Sequence, residues 1–375
     1  MHSRLSLKFF VMRLIASVMF ILPLVAGTAG IATASDGKPG AVYTMTNSAA
    51  GNAIQEYARA ADGTLTSGGI FSTGGLGSGS GLGSQGAIVL SQDERWLFAV
   101  NAGSSEISVF SVRPGHLTLV DQASSAGSEP ISLTYNRHLL YVLNAGNGGS
   151  IAGFRVLPDG RLHFIQDSIR TLSNNGVGAA PSPEEIVFAP DGRYLVVTEK
   201  GSNLIDTYKV ENGLASGPLV NTSSGPAPYG FDFAKHNVLV VSEAANSAVS
   251  SYTISNKGIK VISASILDTQ AAACWLVVSR DGRFAYTANA ASGTISGYRL
   301  GGDGTLALLS ANGIDGITGN GSHPIDMSFS KNDRTLYVLA SGNNTVNAFT
   351  VNPDGSLVFL ASYNSPAGAS GLAAR

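Results

Sequence analysis

The sequence predicts an all-β fold, a seven-bladed β-propeller built from four-stranded antiparallel blades. Three observations carry this. A strand-and-turn unit recurs seven times, Gly is abundant at 46 residues while charged residues make up only 13%, and the C-terminus supplies a strand that the first unit lacks. Internal periods of about 40 to 50 residues are those of propeller blades.

Each unit opens its central hairpin with an apolar run that ends at Asn47, Asn101, Asn144, Glu199, Glu243, Asn289 or Ala340. A Gly/Ser/Ala-rich turn follows, and then a second run carries an aromatic at Tyr57, Phe110, Phe154, Tyr208, Tyr252, Tyr298 or Phe349. A glycine turn comes next, at Gly63, Gly115, Gly160, Gly213, Gly258, Gly304 and Gly355, and a leucine or isoleucine follows every one. From the second unit onward a further apolar run precedes the hairpin, as in Ile186-Val187-Phe188 and Leu276-Val277-Val278. Turns such as Asp191-Gly192 and Asp281-Gly282 link it to the hairpin, because Asp-Gly readily supplies positive φ. The unit is therefore four strands, A to D.

The first unit begins directly at strand B, with Ala41 to Asn47, and has no strand A. Residues 366–374 resemble the missing strand, so the ring is expected to close through a C-terminal strand in blade 1, hiding an edge that would otherwise template aggregation. Two stretches exceed the repeat. They are Ser67 to Gln85 and Ser168 to Pro181; the first, rich in Gly and Ser, is read as a flexible surface loop, with a lid over the ring as the alternative.

Residues 1–34 read as a signal peptide. Arg4, Lys8 and Arg13 precede an apolar run from Leu14 to Val25, and Ala32-Thr33-Ala34 offers a cleavage site. That run is shorter than the roughly 20 apolar residues a spanning helix needs. The expected mature protein is a single propeller domain over 41–375, periplasmic or secreted, free of the membrane and monomeric. Cleavage removes three of the 23 basic residues and none of the 25 acidic ones, leaving a balance of −5. A mildly acidic chain without basic clusters does not suit nucleic acid. Cys274 stands alone, so no intrachain disulfide is available.

The chain resembles the seven-bladed lactonase-like propellers, a group associated with 6-phosphogluconolactonase and 3-carboxymuconate cyclase activities. Four segments carry the resemblance: Tyr141-Val142-Leu143-Asn144, Phe188-Ala189-Pro190-Asp191-Gly192-Arg193, Ala273-Cys274-Trp275-Leu276-Val277-Val278 and Gly293-Thr294-Ile295-Ser296-Gly297-Tyr298. It spans residues 41 to 375 and implies a lactone hydrolase or a related cycloisomerase. Where the sugar-phosphate lactonases carry histidines after the proline opening strand A, this chain has Pro183-Glu184-Glu185. Where they carry Asp-Leu-Gly after strand B, it has Glu199-Lys200-Gly201. Catalytic roles from the family therefore do not transfer to these positions.

In a propeller, strand A starts and strand B ends on the same face, and both ring one mouth of the central channel. Carboxylates gather there on blades 3 to 5, where crowding raises their pKa and suits them to general acid–base work on a lactone. The candidate catalytic residues are Glu184, Glu185 and Glu199 for proton transfer, with Lys200 or His323 facing the developing oxyanion. Glu243, Tyr229, Trp275, Asn289 and Asn144 are candidate substrate contacts, the two aromatics as a stacking wall. The same Asn positions also suit turn backbone groups. Glu184, Glu185, Glu199 and Glu243 offer oxygen ligands to a divalent cation, but no calcium-loop spacing or His-x-His is present, so no metal or cofactor is expected. The expected partner is a small-molecule ligand at the mouth. The alternative is a non-catalytic binding or scaffold propeller outside the cytoplasm.

Overall fold

Seven antiparallel sheets follow one another around a ring in the computed structural model, which describes residues 39–173 and 178–375. The expected signal peptide and part of the second long loop lie outside these residues. Each sheet has four strands in sequential order from the inside outward, and the outermost strand of blades 3 and 6 is split in two. The inner strands are Ser370–Ala374, Ile88–Leu90, Pro130–Asn136, Pro183–Phe188, Pro228–Ala234, Ala273–Val278 and Pro324–Phe329, for blades 1 to 7. Ser370–Ala374 pairs antiparallel with Gly40–Met45, so the C-terminal strand does complete blade 1. The ring is closed by strands from both ends of the propeller.

The sequence landmarks acquire physical reasons here. Strand B tyrosines reach the glycine turn of the next blade: Tyr141 donates to the Gly213 carbonyl at 2.9 Å, Tyr286 to Gly355 at 2.7 Å, and Tyr337 to Gly63 at 2.7 Å. Strand C tyrosines stitch backwards, Tyr57 to the Asn364 carbonyl and Tyr208 to that of Thr171. These rings are fully buried, so each contributes apolar area as well as a satisfied hydroxyl. The turn glycines are required where they sit. At Gly160 φ is +90°, and an added Cβ would lie 2.5 Å from the Trp96 ring of the preceding blade.

The inner strands are joined by acceptor side chains rather than by a continuous ladder. Backbone N–H groups of one inner strand are taken up by a side chain of the blade before: Phe188 by Thr134, Phe231 by Glu185, Val278 by Asp232 and Leu372 by Asp326. Buried N–H groups must find partners, and these side chains supply them. Polar side chains thus face the channel axis for structural reasons.

Ser67 to Gln85 is only in part the expected surface loop, with Gly79, Ser80, Gly81 and Gly83 exposed. Its start belongs to the outer strand Leu65–Ser72 of blade 1. The remainder is an arm tied down along its length, through the Asn47 amide to Ser78 and Ser80 and through Gly103 N–H to the Leu76 carbonyl. Its last residues cross the channel mouth. The physical reason is polar satisfaction: a Gly/Ser backbone laid over the ring offers carbonyls and amides that the inner strands need.

Candidate active site at the channel mouth

Strand A starts and strand B ends are paired in register, Pro130 with Asn144, Pro183 with Glu199, Pro228 with Glu243 and Ala273 with Asn289. In each of these blades a register shift follows the first pair, which leaves Ile131, Glu184, Tyr229 with Gly230, and Cys274 as unpaired residues. Such bulges re-aim side chains. They turn Glu184, Tyr229 and Cys274, on three successive blades, toward one place.

Glu184 is the centre of this group. Its Oε1 lies 2.5 Å from Lys200 Nζ, with the Glu184 side chain 2% exposed and Lys200 41% exposed. Glu184 Oε2 is buried and has no hydrogen-bond partner. Burial pushes the Glu184 carboxyl up to about 8, against the lowering effect of the Lys200 ammonium and of Tyr229. Lys200 Nζ also stands over the Tyr229 ring, 5.1 Å from its centroid. The Cys274 thiol, near Glu184 and Lys200, is pushed up to about 12, mainly by burial, which disfavours the thiolate at neutral pH.

Tyr229 and Trp275 pack against each other, centroids 5.0 Å apart, and both are spent on the arm. Tyr229 Oη donates to the Gly83 carbonyl at 2.7 Å and Trp275 Nε1 to the Ser84 carbonyl at 2.9 Å. Gln85 then spans the channel, its amide exchanging both hydrogen bonds with the Leu276 backbone at 2.6 and 2.9 Å. Gly230 makes room for this, since a Cβ there would lie 2.4 Å from Gln85 Oε1. Ser84 Oγ donates to the Ile131 carbonyl, so residues 83–85 touch blades 3 to 6.

The open space lies beside the arm. A cleft of about 330 Å³ is walled by Leu82 and Gly83 of the arm, by Glu129, Ile131 and Ala145 of blade 3, and by residues 180–184 with Lys200 of blade 4. Its volume is at the lower end of small-ligand sites.

The other sequence candidates sit elsewhere or are occupied. Glu185 Oε2 accepts from Phe231 N–H inside the ring at 2.7 Å, and burial raises its carboxyl well above the ordinary range, with Asp232, Asp326 and Glu184 adding to the effect. Glu199 is buried and accepts from Ser173 N–H, Ser173 Oγ and Ser202 Oγ. Glu243 accepts from Gly225 N–H, Ser250 and Ser265. Asn144 donates to the Ser125 carbonyl, while Asn289 donates to Thr294 and Ser296. Glu199, Glu243, Asn144 and Asn289 thus tie strand ends to neighbouring strands and turns at the mouth. His323 is exposed at the start of blade 7, and its carbonyl accepts from Ser341. Sequence reasoning passed over Asp206. Its carboxyl is pushed up to about 8 by burial and then by the neighbouring Glu199, and strand periodicity shows an inward acid only once the register is known. Among the described residues no group of three or more His, Cys, Asp or Glu is arranged to hold a metal.

With the geometry established, likeness to known proteins can be placed on it. The sequence matches the family described as lactonase, 7-bladed beta-propeller over residues 42–171 and 76–371. It is 24% identical to the 6-phosphogluconolactonase of Bacillus subtilis over 251 residues, 62% of this chain and 68% of that protein. Among solved structures, a periplasmic gluconolactonase of Pseudomonas aeruginosa superposes with a TM-score of 0.69 at 20% identity, covering 90% of this chain and 99% of that one. A Lactobacillus plantarum protein superposes at 0.73 and 16% identity, covering 90% and 100%.

Proposed function

The chain belongs to the seven-bladed β-propeller lactonase family, and from that premise we propose that it hydrolyses a lactone in the cleft beside the arm. The observation that carries the proposal is the buried, unpartnered Oε2 of Glu184 next to the half-exposed Lys200 ammonium. A carboxyl pushed up to about 8 exchanges a proton in both directions near neutral pH, which lactone opening needs.

Glu184 Oε2 takes a proton from water as the water oxygen bonds to the lactone carbonyl carbon. The carbonyl oxygen gains the charge and faces Lys200 Nζ, which stabilises it electrostatically. The ring C–O bond then breaks, the departing alkoxide takes the proton back from Glu184, and a hydroxy acid leaves. Tyr229 positions Lys200 through its ring and the arm through its hydroxyl. The names of the relatives support a sugar-acid lactone, and an aromatic lactone is the second class to try. Residues 1–34 and the periplasmic relative support export, testable by the N-terminal sequence of the protein recovered from each cell fraction.

The test is acid release from a panel of aldono- and aromatic lactones, corrected for spontaneous hydrolysis. Glu184→Gln should lower kcat by about 10²- to 10⁴-fold, the range for a lost general acid–base group. No turnover by the wild type, or undiminished turnover by Glu184→Gln, removes the assignment. Ligand capture without turnover would instead establish the non-catalytic binding propeller.

A further inference from the structure

Charge in the cleft bears on which lactone it takes. Among its described lining residues Lys200 is the one cation, and it is engaged by Glu184 at 2.5 Å. Glu129 stands exposed on the same rim, so an exposed carboxylate accompanies the single cation. A phosphate monoester brings a charge of about −1.5 to −2 at neutral pH and asks for several donors, commonly an arginine cluster or a helix N-terminus. The described cleft lining has no arginine, and the described residues contain no α-helix, only the 3₁₀ turn Lys235–Asn237. What the cleft offers instead is short side chains along Ala180–Pro183, the apolar Leu82 and Ile131, and one ion pair. Those groups suit the hydroxyls and ring carbons of an uncharged lactone.

We infer that the substrate is a neutral, unphosphorylated polyhydroxy lactone and that Glu129 on the cleft rim selects against sugar phosphates. This rests on the lactonase reading of the cleft and narrows it. A phosphate seated there would stand beside Glu129 or compete with Glu184 for Lys200, which costs binding in either position.

The experiment compares glucono-δ-lactone with its 6-phosphate on the mature chain, at low and high salt, with spontaneous hydrolysis subtracted. The expected result is a kcat/KM at least about tenfold higher for the neutral lactone, with the difference shrinking as salt screens the rim. Glu129→Lys should narrow the ratio by about threefold or more, through the phosphorylated substrate. A wild type that prefers the phosphorylated lactone overturns the inference while leaving lactone hydrolysis in place. A ratio unmoved by both salt and Glu129→Lys overturns the role of the rim. Failure to turn over either compound overturns the inference, and the lactonase reading itself falls only if the wider panel of aldono- and aromatic lactones is also left intact.

Discussion

Glu184 is pulled two ways: burial disfavours its charge, and the Lys200 ammonium favours it, with burial the larger effect. As a general base it works only when ionised. After correction for spontaneous hydrolysis, kcat/KM should therefore rise with pH and level off above about 8. Lys200→Met removes the stabilising cation, so the same rise should move to higher pH as kcat falls, and a pH–rate series on both proteins checks this. A profile that is flat between pH 6 and about 9 would show that another group sets the rate.

At the scale of elements, the arm is one of the two stretches without a counterpart in the repeat. Its anchored stretch, Leu76 to Ser80, hangs on blade 1 and Gly103, and its crossing stretch hangs on Tyr229, Trp275 and Gln85. Tyr229→Phe keeps the ring under Lys200 and deletes the bond to the Gly83 carbonyl. Leaving that carbonyl unpaired should cost roughly 1–3 kcal/mol, read as a lower denaturation midpoint. Hydrogen exchange of the Gly83 to Gln85 amides should quicken with it. Protection unchanged from wild type would mean that the arm is held without Tyr229.

For the whole molecule, closure and the buried acids govern stability. Removing residues 370–374 takes away the inner strand of blade 1, its pairing with Gly40–Met45, and the acceptor bonds of Leu372 and Ala374 to Asp326 and Ser328. Several hydrogen bonds at about 1 kcal/mol each, plus the buried Leu372, should lower Tm by on the order of 10 °C. An unchanged Tm would mean that the ring holds without its clasp. The acids act through pH. Asp232, Asp326, Asp206 and Glu184 have folded-state values of about 6, 7, 8 and 8, all above their ordinary range. Between that range and those values the native state holds protons that the unfolded chain releases. Their stabilisation is full below about pH 4 and is lost as pH rises toward 8. Tm should fall over that interval, and Asp326→Asn should make the fall shallower; equal slopes would show that Asp326 does not contribute.

The propeller was legible because each landmark serves a local need that repeats with every blade: a glycine where φ is positive, an aromatic where blades pack, a polar residue where strand B ends. Even the clasp could be read, from a missing strand at one end and a spare one at the other. The sequence also placed the acids at one mouth, since strand pairing alone puts Pro183 beside Glu199 and Pro228 beside Glu243. It could not say which acid is free, because that depends on partners brought in from other blades. Glu199 and Glu243 are occupied by hydroxyls and backbone N–H groups, and Glu185 serves a neighbouring strand. Glu184 is turned out by a bulge and keeps an oxygen unpartnered. Nor could sequence show that a Gly/Ser-rich stretch would cross the ring, since a backbone bonded by Tyr229 and Trp275 from 146 and 191 residues away leaves no local pattern. Local geometry repeats and so is written in the chain; the satisfaction of buried polar atoms is settled only when the ring closes.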